Sequence, residues 1–548
     1  TTLFRSKFLI PLMQDESSML FTDLRSRLDD NSSEEYNIGL GYRQINNGWI
    51  YGGYAFADYL SSPSNHKYWQ ATMGLEALSE NWDARINGYL PESEENNIGG
   101  GALSIDAFGN FSISGAGLER ALPGVDAEVG YKLPIDFIDL RVFGGAYYFD
   151  ANDFDSVAGP KARLELTLNQ DNTSFLDNGM EFTLGAQYQN DDERENTLTA
   201  LAQFRIPFGY EGKGQKLSTL EKRMTNFIER DVDIVTGDGT APTEMATLNV
   251  NGQTYSSALV IDGNTANVPL AVTNAGTNAL IIFDGSNGNI NQTANTIALM
   301  DGQTLLGSGS IVTATGGSTG HSINGIIPGS RPTVTTAGVS TVFVFVDDQD
   351  VLINGIDVLT KNAGIYFQGA GSTNNTISDV SISGGPNTGI IMVLNANNLT
   401  FNDISISDMG GLGIHMDSVD NIAFHNVSIS DVDEIALNIQ SSAYITASNL
   451  IITNPGFHGI NAFSSGYMDF DNVTISNTGW SGLALSGTGA SSFDNFTIAN
   501  STEYGITMNN AVLAVGSNAV ISGSGLGNCH ATGTNTGSSI SYAGGTCP

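Results

Sequence analysis

Basic residues are almost absent from the second half of this 548-residue sequence. Of the 21 lysines and arginines, 19 lie at or before Arg230, and only Arg331 and Lys361 follow it. Together with 57 acidic residues, this gives a formal net charge of −36. Binding to nucleic acid requires clustered basic side chains on phosphate, so the composition excludes a nucleic-acid-binding protein. The break in composition also predicts a domain boundary near residue 230.

The sequence also lacks any apolar run of about 18 residues, which excludes a transmembrane helix. A closed β-barrel stays compatible with this lack, because its strands alternate apolar and polar residues. A patterned hydrophobic content of 40% argues against disorder. The chain begins Thr-Thr-Leu, a start that either a removed export signal or trimming would explain.

Cysteine is limited to Cys529 and Cys547, both within the last twenty residues. This spacing fits no metal-binding pattern and predicts one small disulfide loop in an oxidising compartment. Two free thiols are the alternative.

The first 206 residues contain segments of about ten residues in which small or polar residues alternate with large apolar ones, as in Tyr51–Ala57. Segments of this length and period, with short turns between them, are typical of a barrel that crosses a bilayer. A soluble β-sandwich is the alternative, but its strands are usually shorter. The twelve predicted strands are 17–27, 36–45, 49–58, 68–77, 82–90, 98–106, 111–119, 125–133, 138–149, 160–168, 180–189 and 197–206.

An even number of strands places both ends of a barrel on the periplasmic side, so the chain must return through the lumen to reach the outside. Residues Leu217–Arg230 contain good helix formers without Pro or Gly and predict a four-turn helix. A twelve-stranded lumen has room for one helix. We therefore expect a plug helix in the lumen, with Asp231–Val235 carrying the chain outward. The predicted domains are a barrel over 1–208, a plug and linker over 209–239, and a third domain over 240–548.

Three of these features together resemble the inverse autotransporters, the intimin and invasin family. They are the twelve strands, the strand-final Phe204-Arg-Ile-Pro207-Phe208, and a plug helix that runs into Glu229-Arg-Asp-Val-Asp-Ile-Val235. The resemblance covers about residues 1–240. It implies a barrel in outer-membrane lipid that exports its own C-terminal passenger, assisted by the barrel-assembly machinery and periplasmic chaperones. Those adhesins usually carry immunoglobulin-like domains, which this passenger does not resemble, so their receptors are not carried over.

The second half repeats itself every 23 or 24 residues. Each period contains apolar pairs such as Val427/Ile429 and Leu437/Ile439, which predict three short strands separated by Gly, Asn and Asp turns. Coiling such a unit stacks equivalent positions about 4.8 Å apart. One corner then carries a ladder of amide and carboxylate side chains, which tolerate left-handed backbone: Asp379, Asp403, Asn426, Asn449, Asn472 and Asn495.

This pattern resembles the right-handed parallel β-helix of the pectate-lyase-like superfamily, and Thr296–Gly307 resembles its first coil. Residues 240–520 would supply about twelve coils, or roughly 55–60 Å of rod. The predicted fold is therefore all-β: a twelve-stranded transmembrane antiparallel β-barrel with a plug helix, followed by a right-handed parallel β-helix. The Cys529–Cys547 loop would cap the last coil, whose open edge would otherwise pair with other chains.

Catalysis is not predicted. Lyases on this fold need a basic side chain as base, and residues 240–548 contain only one Arg and one Lys. Hydrolases use clustered aspartates, but the candidate aspartates show no spacing that repeats from coil to coil. Those candidates are Asp347, Asp348, Asp350, Asp417 and Asp420. A surface polysaccharide hydrolase is the less favoured alternative.

Metal binding is not predicted either. His415, His425 and His458 fall at different points of the repeat, which indicates turn or solvated histidines. The acidic runs Asp347–Asp350 and Asp431–Glu434 could bind Ca²⁺, but they lack a dedicated loop signature and read as solvated turns. No cofactor is predicted.

Phe457 and Trp480 are 23 residues apart in equivalent turns, and Tyr504 lies one position off that register. Side by side, these aromatics could form a strip that binds sugar or protein; covering the core under the turn is the alternative. The function predicted is an outer-membrane protein whose β-helix acts as an adhesin at the cell surface, with a surface glycan or a protein as ligand. A coat or lattice in which neighbouring copies pack is the structural alternative.

Overall fold

The structure is a computed structural model that describes residues 3–29, 33–135, 138–169, 180–191, 195–206, 218–231, 234–292, 296–336, 338 and 340–548. The chain divides into two compact units. The first comprises residues 1–101 and 115–242, and the second residues 102–114 and 243–548. Pro207, Phe208 and Leu217 of the predicted motif and helix lie outside the described residues, as do residues 232–233 of the predicted linker.

The first unit is built on one antiparallel sheet, in which eleven described strands pair in chain order. Most are 10–13 residues long, the length that crosses a bilayer when tilted. Its strands are β1 (Leu3–Gln14), β2 (Ser18–Asp29), β3 (Glu34–Asn46), β4 (Trp49–Ser61), β5 (Lys67–Leu78), β6 (Trp82–Pro91), β9 (Gly124–Lys132), β10 (Asp139–Phe149), β11 (Val157–Asn169), β12 (Glu181–Asp191) and β13 (Glu195–Arg205).

This sheet is apolar on its exposed face and polar on its buried face. Along β3, Ile38 and Leu40 are exposed while Glu35, Asn37 and Arg43 between and beside them are buried. A water-soluble sheet shows the reverse pattern, because water favours polar side chains outside. An apolar exterior around a polar interior is the arrangement of transmembrane barrels.

The remaining strands of the first unit differ from the sequence prediction. The predicted strands 98–106 and 111–119 are present as β7 (Glu95–Ile105) and β8 (Phe111–Ala121), but they pair with each other outside the main sheet, and β14 (Thr236–Thr240) pairs with β8. Strand β6 pairs directly with β9. The sequence prediction also missed β1. The described sheet therefore has eleven strands, and the argument from an even count does not hold for it.

The segment after the last barrel strand lies against the polar face of the sheet. Its helix α1 (Thr219–Arg223) begins at a capping box between Ser218 and Glu221. The helix is five residues long, so the predicted helix to Arg230 was too long. Beyond it, Nη1 of Arg43 donates to the carbonyl oxygens of Met224 and Asn226, at 2.7 and 2.6 Å. These carbonyls would otherwise accept helical hydrogen bonds, so the contacts with Arg43 take the place of the helix that the sequence favours.

The second unit contains a parallel β-solenoid of about 12 turns. Its larger sheet pairs strands from coil to coil: β17 (Leu259–Asp262), β18 (Leu280–Asp284), β21 (Thr304–Gly307), β26 (Leu352–Leu359), β28 (Thr376–Ser383), β30 (Asn397–Met409), β32 (Asp420–Val432), β34 (Ala443–Thr453), β36 (Gly466–Ser476), β38 (Ser491–Ala499), β40 (Ala514–Ser522), β42 (Ser539–Tyr542) and β43 (Gly545–Cys547), with β19 (Ile290–Gln292) and β24 (Thr333–Thr336) beside them.

A second sheet runs parallel to the first along the solenoid. It contains β20 (Ile297–Ala298), β25 (Phe343–Val346), β27 (Ile365–Gln368), β29 (Ile390–Val393), β31 (Ile414–Asp417), β33 (Leu437–Gln440), β35 (Ile460–Phe463), β37 (Leu483–Ser486), β39 (Tyr504–Asn509) and β41 (Gly527–Thr532). The N-terminal end carries helix α2 (Val268–Ala275), the 3₁₀ helix Gly285–Asn287 and an antiparallel sheet that includes β15 (Glu244–Val250), β16 (Gln253–Tyr255), β22 (Ile311–Gly316) and β23 (Ser322–Ile326).

Register between coils follows the predicted repeat, since Ile404 pairs with Val427 and Val427 with Leu450. Each regular coil has two strands rather than the three predicted. The longer strand bends where an Asn or Asp adopts a positive φ, as Asn426 does at 55°, and this bend separates the two apolar runs. Parallel pairing begins at β17, within the predicted range of 240–520 but before Thr296–Gly307, the segment that resembles a first coil.

The interior of the solenoid is filled by aliphatic side chains and a partial phenylalanine stack. Phe401 and Phe424 stack with ring centroids 5.2 Å apart, Ala447 interrupts the column, and Phe470 and Phe493 continue it at 5.8 Å. At the far end, Cys529 of β41 is bonded to Cys547 of β43, and β43 turns back antiparallel on β42. The disulfide therefore joins the last strands of the two sheets.

Candidate ligand-binding surface

The structure places the predicted ladder in one row at the bend of the longer strands. Every member has a φ near +50 to +57°, a conformation that Asn and Asp tolerate better than other side chains. Within the row, Nδ2 of Asn449 donates to Oδ1 of Asn426 at 2.9 Å, and Asn426 donates to Asp403 at 3.0 Å. Asn495 departs from this pattern and donates to Asp471. At the other end, Asp379 accepts from Nη1 of Arg331 at 2.6 Å. These hydrogen bonds within the solenoid make the row a structural element.

A second row of this kind was missed by the sequence analysis. Asp408, Asp431, Asn454, Asn477 and Asn500 all have positive φ, and each of the last three donates to the residue one coil before it at 2.9–3.0 Å. Its signal was present in the sequence as Asp or Asn five residues after each member of the first ladder except Asp379, which Gly384 follows.

Phe457 and Trp480 lie side by side on neighbouring coils, with ring centroids 5.0 Å apart. They are 37% and 45% exposed, so they form a surface pair rather than a cover over the core. The register adds acidic neighbours on both sides: the amide of Phe457 donates to the carbonyl oxygen of Glu434, and the amide of Glu503 donates to that of Trp480. We call the row Glu434, Phe457, Trp480 and Glu503 the aromatic strip.

Tyr504 lies one position beyond the aromatic strip, on the row of His458. Its ring stacks on His530 with centroids 4.6 Å apart, whereas Trp480 contacts His458 at 5.2 Å. Burial lowers the pKa of His458, so this imidazole is neutral at pH 7. The three predicted aromatics therefore form two neighbouring groups, and the sequence analysis missed the two glutamates that flank the first.

A second exposed aromatic pair, Tyr444 and Tyr467, occupies another corner of the solenoid. Their rings stack nearly parallel, with centroids 4.9 Å apart and planes 8° apart, and they are 53% and 59% exposed. The same row carries Asn398 and Asn421 on preceding coils. The sequence analysis missed this pair, although both tyrosines stand where the two preceding coils have Asn.

Both tyrosines have a left-handed backbone, with φ of 57° and 53°. This conformation costs a bulky L-residue roughly 1–2 kcal/mol, which Asn largely avoids. Since more than half of each side chain is exposed, core burial does not offset that cost. Strain of this kind at an exposed position points to a role outside folding.

The acidic candidates act mainly as turn caps. Oδ1 of Asp347 accepts from the amide of Gly371 at 2.9 Å, and Asp348 accepts from the amide of Val346 at 2.8 Å. Burial and the neighbouring Asp301 and Asp347 raise the pKa of Asp348 to about 6. Oδ1 of Asp420 accepts from the amide of Ala443 at 3.1 Å. Among the described residues, no group of three or more His, Cys, Asp or Glu side chains could hold a metal ion.

The histidines are spread over the solenoid surface. Nδ1 of His415 lies 3.0 Å from the side-chain Nδ2 of Asn438, and Nδ1 of His425 lies 2.8 Å from the hydroxyl of Ser448. Each contact joins adjacent coils at a different row, so the structure does not bring these histidines together with His458 into one site.

Two family models match the chain. Residues 2–210 match the inverse autotransporter, beta-domain, and residues 329–472 and 412–546 match the right handed beta helix region. The N-terminal part is therefore an inverse autotransporter β-domain of the outer-membrane type, and a right-handed parallel β-helix follows it. In the described part of the chain, no helix is both long and apolar enough to cross a membrane.

Solved structures of three kinds show distant similarity. The enzymatically active domain of tailspike protein 2 of bacteriophage CBA120 is 12% identical, with a TM-score of 0.40, over 54% of this chain and 52% of that one. The A-module of the mannuronan C-5 epimerase AlgE6 of Azotobacter vinelandii is 13% identical, with a TM-score of 0.35, over 52% and 100%. The catalytic domain of a GH87 alpha-1,3-glucanase in complex with nigerose is 12% identical, with a TM-score of 0.28, over 81% and 97%. No curated protein matches the chain.

Proposed function

We propose that this chain, which joins an inverse autotransporter β-domain to a right-handed β-helix, anchors itself in the bacterial outer membrane and displays its β-helix at the cell surface as an adhesin. The observation that carries the proposal is the two-faced sheet of the first unit. Its apolar side chains face outward and its charged side chains face a segment that leads to the passenger. An apolar outer face around charged side chains is unfavourable in water, whereas a β-barrel that spans a membrane requires it.

The path of the chain supports display. Lys7 of β1 pairs with Glu229 at 3.6 Å, and Arg205 of β13 donates to the hydroxyl of Thr225 at 2.6 Å. Strands at both ends of the sheet thus reach the same short segment, so the sheet curves around it. We infer that this sheet closes in the membrane as a barrel, in which residues 218–231 fill the lumen as a plug.

Ion pairs hold that plug. Arg230 and Asp58 are both fully buried and lie 2.6 Å apart, and the guanidinium of Arg230 also lies 4.4 Å from the centre of the Phe56 ring. The buried carbonyl oxygen of Ile228 accepts from Arg25 at 2.6 Å. Such contacts fix the outward-going chain after export, which we expect to involve the barrel-assembly machinery and periplasmic chaperones.

The aromatic strip is our candidate for the attachment surface. It offers two exposed rings for apolar contact, with a carboxylate on either side for hydrogen bonds or ion pairs. Residues 243–548 contain 20 acidic residues against two basic ones, so an anionic ligand would be repelled. The ligand is therefore a neutral glycan or a protein with a neutral or basic surface.

The test compares attachment of cells that display the whole chain with that of cells that display residues 1–240. We expect the whole chain to raise attachment to host cells, to surfaces or to neighbouring cells. Trp480→Ala should lower attachment at unchanged surface level, while Thr474→Ala, an exposed change on the neighbouring strand, should not. Equal attachment with and without an exposed passenger would contradict the adhesin role.

A structural coat is the second candidate, and one observation favours it. The solenoid surface carries regular rows of exposed amides and carboxylates, which would repeat at every copy of a packed rod. Divalent cations would then bridge the acidic rods, so a chelator should disperse ordered arrays seen on the membrane. A polysaccharide hydrolase is not favoured, because the candidate aspartates bind backbone amides at turns. Release of reducing ends from polysaccharide would contradict this view.

A further inference from the structure

The row that carries Tyr444 and Tyr467 continues with one small residue and one large one. The amide of Tyr467 donates to the carbonyl oxygen of Ala490 on the next coil at 2.6 Å. Leu513 stands at the equivalent position of the coil after that, because Ser491 pairs with Ala514. Leu513 also has a left-handed backbone, with φ of 53°, and its side chain is exposed. Two projecting side chains therefore stand on either side of a coil that bears only a methyl group, and Gly489 precedes that alanine.

The spacing of this notch suits one ring. Coils stack about 4.8 Å apart, so Tyr467 and Leu513 are separated by about 9.6 Å along the rod. Contacts of 3.5–4.0 Å on both faces of an inserted ring take up about 8 Å of that distance. Tyr444 supports the outer wall, because its ring stacks on Tyr467 from the preceding coil at 4.9 Å.

We propose that this notch, formed by Tyr444, Tyr467, Ala490 and Leu513, binds one pyranose ring of a neutral glycan. The carbon face of the sugar lies on the Tyr467 ring, and its hydroxyl groups reach polar side chains at the rim. Ser464 and Asp469, three residues before and two after Tyr467, are both exposed and supply a hydroxyl group and a carboxylate. A carboxylate next to the ring favours a sugar rich in hydroxyl donors and disfavours uronate or sialate.

The backbone strain of the tyrosines and their position in the repeat favour a binding role over a structural role. Asn stands at the equivalent position of two preceding coils, where the same left-handed turn forms with Asn398 and Asn421. Tyrosine is therefore not needed for the turn. It adds an exposed, preorganised ring at the wall of the notch, which is the property a stacking ligand requires.

The experiment measures binding of the purified full chain, in detergent micelles, to immobilised neutral oligosaccharides of glucose, galactose and mannose. Galacturonate and sialylated oligosaccharides are the anionic comparison. We expect one or more neutral glycans to bind and the anionic ones to bind at least tenfold more weakly. Tyr467→Asn should weaken binding at least tenfold while the midpoint of thermal unfolding stays equal or rises, because Asn adopts the same backbone without strain.

A second variant fills the notch without touching the tyrosines. Ala490→Trp should abolish binding while both tyrosines remain, and Thr474→Ala, an exposed change outside the notch, should leave it intact. The proposal is overturned if the wild-type chain binds none of the neutral glycans, if it binds only an aromatic-rich peptide, or if Tyr467→Asn binds like the wild type.

This proposal deepens the proposed attachment function and rests on it for its biological meaning, but the two fail separately. Cells that carry Tyr467→Asn and still attach normally would retain the adhesin role and remove the notch from it. A chain that binds neutral glycan but does not raise attachment would retain the notch and remove the adhesin role.

Discussion

Replacing Asn449 tests whether the ladder stabilises the solenoid through its backbone conformation as well as its hydrogen bonds. Asn449 donates to Asn426 at 2.9 Å, accepts from Asn472 and has a φ of 57°. Asn449→Ala removes both side-chain bonds, each worth about 0.5–1 kcal/mol at an exposed site, and adds about 1–2 kcal/mol of left-handed strain. The expected loss is about 2–4 kcal/mol.

Asn449→Gly separates the two contributions. Glycine adopts a positive φ freely, so this variant loses only the hydrogen bonds, about 1–2 kcal/mol, and about 0.5–1 kcal/mol of chain entropy, or about 1.5–3 kcal/mol together. The assay is urea unfolding of the full chain followed by the fluorescence of Trp480, the only tryptophan after Trp82. Thr474→Ala, at an exposed strand position, is the control and should change stability by less than about 0.5 kcal/mol. An alanine variant as stable as the glycine variant would refute the conformational part of the reasoning.

Three further predictions concern the lumen, the last coil and an acidic turn. Arg230→Met should leave Asp58 buried without its ion-pair partner and lower the free energy of unfolding by about 3–5 kcal/mol. The measurement is the temperature at which the folded band disappears on a denaturing gel, which should fall. The double variant with Asp58→Asn should recover part of this stability, and a double variant no more stable than Arg230→Met would contradict the pairing. Cys529→Ser with Cys547→Ser opens an 18-residue loop and should cost about 3 kcal/mol at the C-terminal end, with faster hydrogen exchange in β40–β43; unchanged exchange there would refute the capping role. The pKa of Asp348 is about 6 in the folded state and 3.8 in the unfolded chain, so the folded state binds more protons between pH 4 and 6. The free energy of unfolding should therefore fall as pH rises through that window. Asp348→Asn should remove this pH dependence, and a wild-type stability that rises with pH there would contradict the raised pKa.

The repeat could be predicted from sequence because identical positions must pair when coils stack. One register error would move every apolar residue to the outside, so Ile404, Val427 and Leu450 had to align, and they do. The bend at Asn426 could also be predicted from sequence, since few residue types tolerate the left-handed backbone conformation that it requires. The repeat alone could not distinguish one bent strand from two separate strands, because both arrangements place the same residues in the interior.

The barrel was harder to predict in detail than in kind. Alternation identified membrane-type strands, but β7 and β8 alternate as well, and only pairing shows that β6 meets β9 directly. The helix after the sheet was overestimated because local propensity favours it through Arg230, while the carbonyl oxygens of Met224 and Asn226 are taken by Arg43. Tertiary contacts of this kind leave no local signal in the sequence.

Surface features were predicted only where the sequence period exposed them. The 23-residue spacing of two aromatics predicted the pair Phe457 and Trp480, whereas Glu503 keeps that spacing from Trp480 without an aromatic ring to mark it. The strained pair Tyr444 and Tyr467 keeps the same period, but its significance comes from a backbone angle that the sequence does not display.

Display of the β-helix at the cell surface and its role in attachment are tested together in intact cells. Intact cells that carry the whole chain are compared with cells that carry residues 1–240, in protease accessibility of the passenger and in attachment within the same samples. The account predicts that added protease reaches residues 243–548 in intact cells and that attachment falls to the level of the truncated chain as the passenger is removed. A passenger that stays protected until the outer membrane is broken, or one that is removed without any loss of attachment, would contradict it.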